Sequence, residues 1–156
     1  RHTEQNGRNL TNAFAEHIHR TIASVDQILL RIAAEHERAP DAFDLHAWTQ
    51  RQERLQSLFT KLVIVDRDGH IVQDSEKSER ILTILGQREN LIAHQGQGGA
   101  GLLISRPFLD RISGETTVQL SRPLKRPDGA FNGMVAAFIA PEALSQLYDS
   151  IDIGPN

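Results

Sequence analysis

Leu10, Phe14, Ile18, Ile22, Val25, Leu29 and Ile32 recur at spacings of three and four, with polar and charged residues between them. That spacing lays one apolar stripe along a helix, predicted over residues 4–37 and stopped by Pro40. At ~1.5 Å per residue such a helix is about 50 Å long, more than a domain of this size covers, so part of it is expected to project or to pack against a second copy. A shorter helix is expected over residues 44–59, with Asp44 as its N-cap and Leu45, Trp48, Leu55, Leu58 and Phe59 turned inward.

The period changes at Lys61. Leu62-Val63-Ile64-Val65 is a β-branched run, Asp66-Arg67-Asp68-Gly69 is a tight turn, and His70-Ile71-Val72-Gln73 returns as a second strand. Residues 78–86 and 88–94 read as two short helices, the first capped by Ser78 and closed by Gly86. Residues 102–105 and 116–124 read as strands, and a second turn, Arg126-Pro127-Asp128-Gly129, leads into an apolar strand over 133–140. Pro141 opens a last helix through residue 150. Hairpin-linked strands with helices gathered around them predict an α+β fold. Its single antiparallel sheet has five strands, at 62–65, 71–73, 102–105, 117–120 and 134–139. The organisation expected is a helical segment over 1–60, an α+β lobe over 61–150, and a linker-like stretch over 151–156. The chain opens on Arg1 rather than Met and is read as a piece of a longer protein.

Composition narrows the classes of function. A chain of 156 residues, 39% hydrophobic and 24% charged, has room for one domain with a real core. Its net charge of -3, with acids and bases interspersed, offers no basic footprint for nucleic acid. With no cysteine, thiol chemistry, disulfides and thiolate metal sites are excluded, and an oxidising compartment is as plausible as the cytosol.

Residues 94–101, HQGQGGAG, contain a formal G-x-G-x-x-G. A dinucleotide site needs a strand before such glycines and a helix after them, so that the pyrophosphate meets helix N–H groups. Here the predicted order is helix, glycines, strand, and the stretch is read as a connecting loop. Seven histidines invite a metal, but no H-x-x-x-H or H-E-x-x-H spacing occurs, and they are read as solvated or capping. Asp66, Asp68 and Asp74 lie in a stretch too short for a twelve-residue calcium loop; turn chemistry accounts for them. No G-x-S-x-G elbow and no cysteine nucleophile is present. Ser105-Arg106-Pro107 and Ser121-Arg122-Pro123 end neighbouring strands, and alternation puts Thr117, Gln119 and Ser121 on one face. That face is either a polar outer surface closed by prolines or the floor of a small-ligand pocket under the helix at 88–94.

The segment Gly86-Gln87-Arg88-Glu89-Asn90-Leu91-Ile92-Ala93-His94 resembles the helix motif of Cache-type sensor domains, an extracytoplasmic, PAS-like fold of bacterial receptors. Ile104-Ser105-Arg106-Pro107, Arg111-Ile112-Ser113-Gly114, Gln119-Leu120-Ser121-Arg122, Pro127-Asp128-Gly129-x-Phe131-x-Gly133 and Tyr148-x-Ser150-Ile151-x-Ile153-Gly154 follow in the family's order, as do the long helix and Val65-Asp66-Arg67-Asp68-Gly69. Where the motif has an aromatic pair this chain has Asn90-Leu91, while Arg88 is kept.

The resemblance implies the membrane-distal lobe of a double-Cache sensor, with a second lobe beyond residue 156. It would be the periplasmic part of an inner-membrane histidine kinase or diguanylate cyclase. It implies a non-catalytic domain that binds a small solute, with Arg88, Arg106, Ser121 and His94 bordering the pocket. Arg88 leads that set because a guanidinium fork suits a carboxylate; its other reading is a pair with Glu89 or Asp74. No cofactor or metal is expected, and a homodimer through the N-terminal helix is. The alternatives are a structural, dimerising lobe with no ligand of its own and a small hydrolase with an unrecognised site.

Overall fold

The long stripe forms one helix of 37 residues, α1 (His2–Arg38), about 55 Å from end to end. The structure, a computed structural model, describes residues 2–52, 59–76, 83–84, 88–96, 101–110 and 114–139. Val25, Ile28, Leu29, Ile32 and His36 form the buried face of α1, while Glu16, His19 and Arg20 are exposed. A short second helix, α2 (Leu45–Gln50), starts where predicted. Asp44 caps it, its carboxylate accepting from the Ala47 N–H at 3.1 Å.

That helix stops well short of residue 59. The Arg51 and Gln52 N–H groups donate three residues back, to Trp48 and Thr49, and tighten its end. Phe59 opens a strand instead, β1 (Phe59–Val65), because it pairs with Ile139 in a ladder that local periodicity does not reveal. Leu55 and Leu58 lie outside the described residues.

The remaining elements are β2 (His70–Asp74), β3 (Thr83–Ile84), α3 (Glu89–Gln95), β4 (Leu103–Ile104), β5 (Phe108–Leu109), β6 (Thr116–Thr117), β7 (Gln119–Lys125) and β8 (Phe131–Ile139). One sheet runs in the order β3-β2-β1-β8-β7-β4, antiparallel throughout. Each of the five predicted strands contributes to it, although Thr117, placed in the fourth, belongs to β6 outside this sheet. The sixth, β3, falls inside the helix expected over 78–86: Thr83 and Ile84 are β-branched and pair with Ile71 and His70 on the free edge of β2. The rest of that predicted helix, and the final helix over 141–150, lie outside the described residues. β5 and β6 make a separate two-stranded ribbon that the sequence pattern did not foretell.

The turns are built as their residues require. In the first, the Asp66 carboxylate accepts from the Asp68 and His70 N–H groups, each at 2.9 Å, and Gly69 takes φ +90°. The Asp128 carboxylate and Gly129 repeat the device between β7 and β8.

Two cores result, one on each face of the sheet. On one, Val25, Ile28, Leu29 and Ile32 of α1 and Leu45 and Trp48 of α2 pack on Leu62, Ile64, Leu120, Val135 and Ala137. On the other, Leu91 of α3 packs on Val63, Val65, Ile71, Met134, Ala136 and Phe138. Alternation along β1, β7 and β8 assigns each residue to its face.

Candidate functional site

The second face differs from the first in carrying polar residues that are fully enclosed. Gln119 and Ser121 of β7 each have 0% exposure. Alternation places them together as predicted, but they are a buried floor and not a solvated outer surface.

α3 lies over them. Its inward residues are Asn90, Leu91 and His94, one face of two helical turns. The Asn90 amide donates to the Ser121 hydroxyl at 2.9 Å and to the Gln119 carbonyl at 3.2 Å. His94 Nε2 lies 2.9 Å from the same Ser121 oxygen. The Ser121 oxygen is thus shared between the Asn90 amide and the His94 ring. Ser105, ahead of β5, completes the frame: its hydroxyl accepts from the Gln119 N–H at 2.8 Å and its own N–H donates to the Gln119 carbonyl at 2.9 Å.

The Gln119 side chain is the exception. Among the described residues, neither its Oε1 nor its Nε2 has a hydrogen-bond partner, although both are buried. Each unmet group of this kind costs roughly 1–3 kcal/mol. Phe138 is its cross-strand neighbour on β8, and Lys61 of β1 faces Phe138 from the other side. Lys61 Nζ stands 4.7 Å from the centre of the Phe138 ring and 3.7 Å from the Asp110 carboxylate. Phe108 meets Phe138 edge to face at 5.8 Å.

Of the four residues singled out from the sequence, the structure joins two, Ser121 and His94. Arg88 is exposed at the start of α3, and its Nη2 donates to the Asp68 carbonyl at 3.0 Å, beside Gly69; among the described residues it pairs with neither Glu89 nor Asp74. Arg106 is exposed, and its carbonyl accepts from the Ser105 hydroxyl at 2.9 Å. Sequence reasoning passed over Asn90, Gln119 and the Lys61–Asp110 pair as site residues. Gln119 had a legible signal, its alternation with Ser121, and Asn90 had another, its place where the Cache motif carries an aromatic.

The histidines also differ from the expectation of solvated or capping roles: His36 and His94 are buried. Asp66, Asp68 and His70 bring ligand atoms within 4.8 Å of one another. They sit on a partly exposed turn whose own N–H groups engage Asp66 and against which the Arg88 guanidinium lies. The Ser121–His94 contact is enclosed. Ser121 has no exposure, and its oxygen already accepts from Asn90.

The glycine stretch follows α3 and precedes β4, the reverse of the order a dinucleotide site needs; residues 97–100 lie outside those described. Among the described residues, no helix is long and apolar enough to cross a membrane.

A sheet with the long helix on one face and a short helix closing a polar floor on the other makes an α+β lobe. Solved structures of extracellular sensor domains share this arrangement. Over 99% of its length this chain matches the extracellular domain of a protein described as the histidine kinase rpHK1S-Z16, at 28% identity and TM-score 0.78, spanning 64% of that domain. The ligand-binding domain of the Pseudomonas aeruginosa amino acid chemoreceptor PctC, solved with GABA, matches over 93% of this chain and 67% of its own at 17% identity and TM-score 0.66. A domain of a sensory box/GGDEF family protein from Vibrio parahaemolyticus matches over 94% of this chain and 64% of its own, at 14% identity and TM-score 0.64. No protein-family model and no curated protein matches the sequence. The chain has the PAS-like Cache fold of bacterial extracellular sensor domains, as the sequence motifs implied.

Proposed function

We propose that this chain is the extracytoplasmic ligand-sensing lobe of a membrane-bound signalling receptor, a histidine kinase or a diguanylate cyclase. The observation that carries the reading is the enclosed polar floor of Gln119 and Ser121 under Asn90 and His94. A purely structural lobe would gain stability by filling that face with apolar side chains. The kinase and GGDEF neighbours support the two alternatives for the output, and the periplasmic side of the inner membrane is where such a lobe would stand. Ser121, His94, Asn90 and Gln119 form the centre of the site in this reading. Arg88, directly before α3, and Arg106, directly after Ser105, are its rim. The domain itself carries out no reaction; it shifts a helix equilibrium when a solute binds.

The test is a thermal-unfolding screen against small carboxylates, amines, amides and sugars. A true ligand at about 100 times its Kd stabilises the fold by roughly 2.7 kcal/mol, and Ser121→Leu should remove that gain. No shift from any solute would leave the lobe without a sensing role. The gene sequence beyond Asn156 decides between kinase and cyclase output.

A further inference from the structure

Two charges, one aromatic pair and one unmet amide share the face beneath α3. In the registered ladder, Lys61, Phe138 and Gln119 stand in a single row across β1, β8 and β7. Lys61 is balanced by Asp110. Asn90 is engaged by Ser121 and by the Gln119 backbone carbonyl, so it does not serve the Gln119 side chain. What remains in the row is a carboxamide with 0% exposure whose donor and acceptor both lack a partner among the described residues.

We propose that Gln119 is the specificity-determining contact of this site and that its ligand presents a neutral carboxamide or lactam edge. The inference rests on the sensing reading above and names the chemistry of the ligand. A primary amide offers an acceptor from Oε1 and two donors from Nε2 on one planar group. The complement is a group with a donor beside an acceptor, which closes two hydrogen bonds with it. A carboxylate has acceptors only: it satisfies Nε2 and sets negative oxygen against Oε1. An ammonium has donors only and leaves Nε2 unmet. Either ion would also enter a row whose charges, Lys61 and Asp110, already compensate each other. Phe138, the cross-strand neighbour of Gln119, meets Phe108 edge to face at 5.8 Å, and this aromatic surface suits a flat body behind the amide edge.

The experiment uses three probes of one shape and three charge states: benzamide, benzoate and benzylamine. Each is titrated calorimetrically into the chain and into its Gln119→Leu variant. Benzamide should bind, with benzoate and benzylamine at least tenfold weaker. Gln119→Leu should weaken benzamide at least tenfold while leaving the unliganded melting temperature unchanged or higher, since an unmet amide has been removed. Should that variant fail to fold, Gln119→Met keeps the length of the side chain but neither donor nor amide acceptor, and must weaken benzamide likewise. Tighter binding of either ion, or equal affinity of benzamide for the variants, overturns the proposal. Silence from benzamide with a hit elsewhere in the solute screen sinks this inference alone; silence across the whole screen removes the sensing reading with it.

Discussion

Gly133 takes φ +103° where β8 passes the end of β1, and a Cβ there would collide with the Val65 carbonyl oxygen. Backbone conformation and close approach both require glycine at this one position. Gly133→Ala should therefore cost about 3 kcal/mol of stability, from strain at positive φ and overpacking together, and urea denaturation measures it. His36 supplies a second residue-level expectation. It is 7% exposed, its Nδ1 has no hydrogen-bond partner among the described residues, and it meets Phe43 edge to face at 6.1 Å. Burial lowers its pKa below the usual 6.5, against a smaller upward pull from Asp41. The unfolded chain then binds the proton more readily than the folded one. Stability should fall as pH drops through about 6.5 and level off below the folded pKa. Denaturation midpoints at falling pH show this slope in the wild type and a smaller one in His36→Phe.

Single residues on β7 reach both faces of the sheet, and that gives the strand its role as an element. Ser121 points to α3, and the next residue, Arg122, points to α1, where its Nε and Nη2 meet the two oxygens of Asp26 at 2.5 and 3.0 Å. This hydrogen-bonded pair raises the Arg122 pKa. With side chains 22% and 18% exposed, the pair is partly shielded from water. A double-mutant cycle with Asp26→Ala and Arg122→Ala should give a coupling of roughly 1 kcal/mol that shrinks with added salt. Additivity of the two single losses would remove this tie between β7 and the long helix. At the same scale, β2, the two hairpin turns and α3 were legible from the sequence because each depends on neighbours a few residues away. β3 was not: two residues inside a helical pattern became a strand only because β2 presented a free edge.

For the whole molecule the open question is the N-terminal part of α1. The sheet and α2 cover the stripe from Ile22 to His36, and the sequence continues it toward the N-terminus through Ile18, Phe14 and Leu10. An apolar stripe left in water is an aggregation hazard, and pairing with a second copy about a twofold axis removes it. The steps along the stripe do not keep a strict heptad, so a short helix pair is expected rather than a long coiled coil. Weak dimerisation is the expected outcome, with a Kd in the micromolar range or above, about -8 kcal/mol or weaker. Sedimentation at rising concentration reads it directly, and a strict monomer at millimolar concentration refutes it.

Period and turn chemistry by themselves determined the long helix, the Asp44 cap, both Asp–Gly turns and five strands of the antiparallel sheet. These follow from backbone sterics and from burying one face of each element, and both are written in residues close together along the chain. They also placed Gln119 beside Ser121. Only the tertiary structure decided that this face is closed. Asn90 and His94 meet Ser121 across 31 and 27 residues of chain, and no local pattern sets such a distance. It depends on which strands pair, in what register, and on where Leu91 packs to seat α3 over the sheet. The unmet amide of Gln119 belongs to the same level, because burial and the absence of a partner are properties of the packed whole.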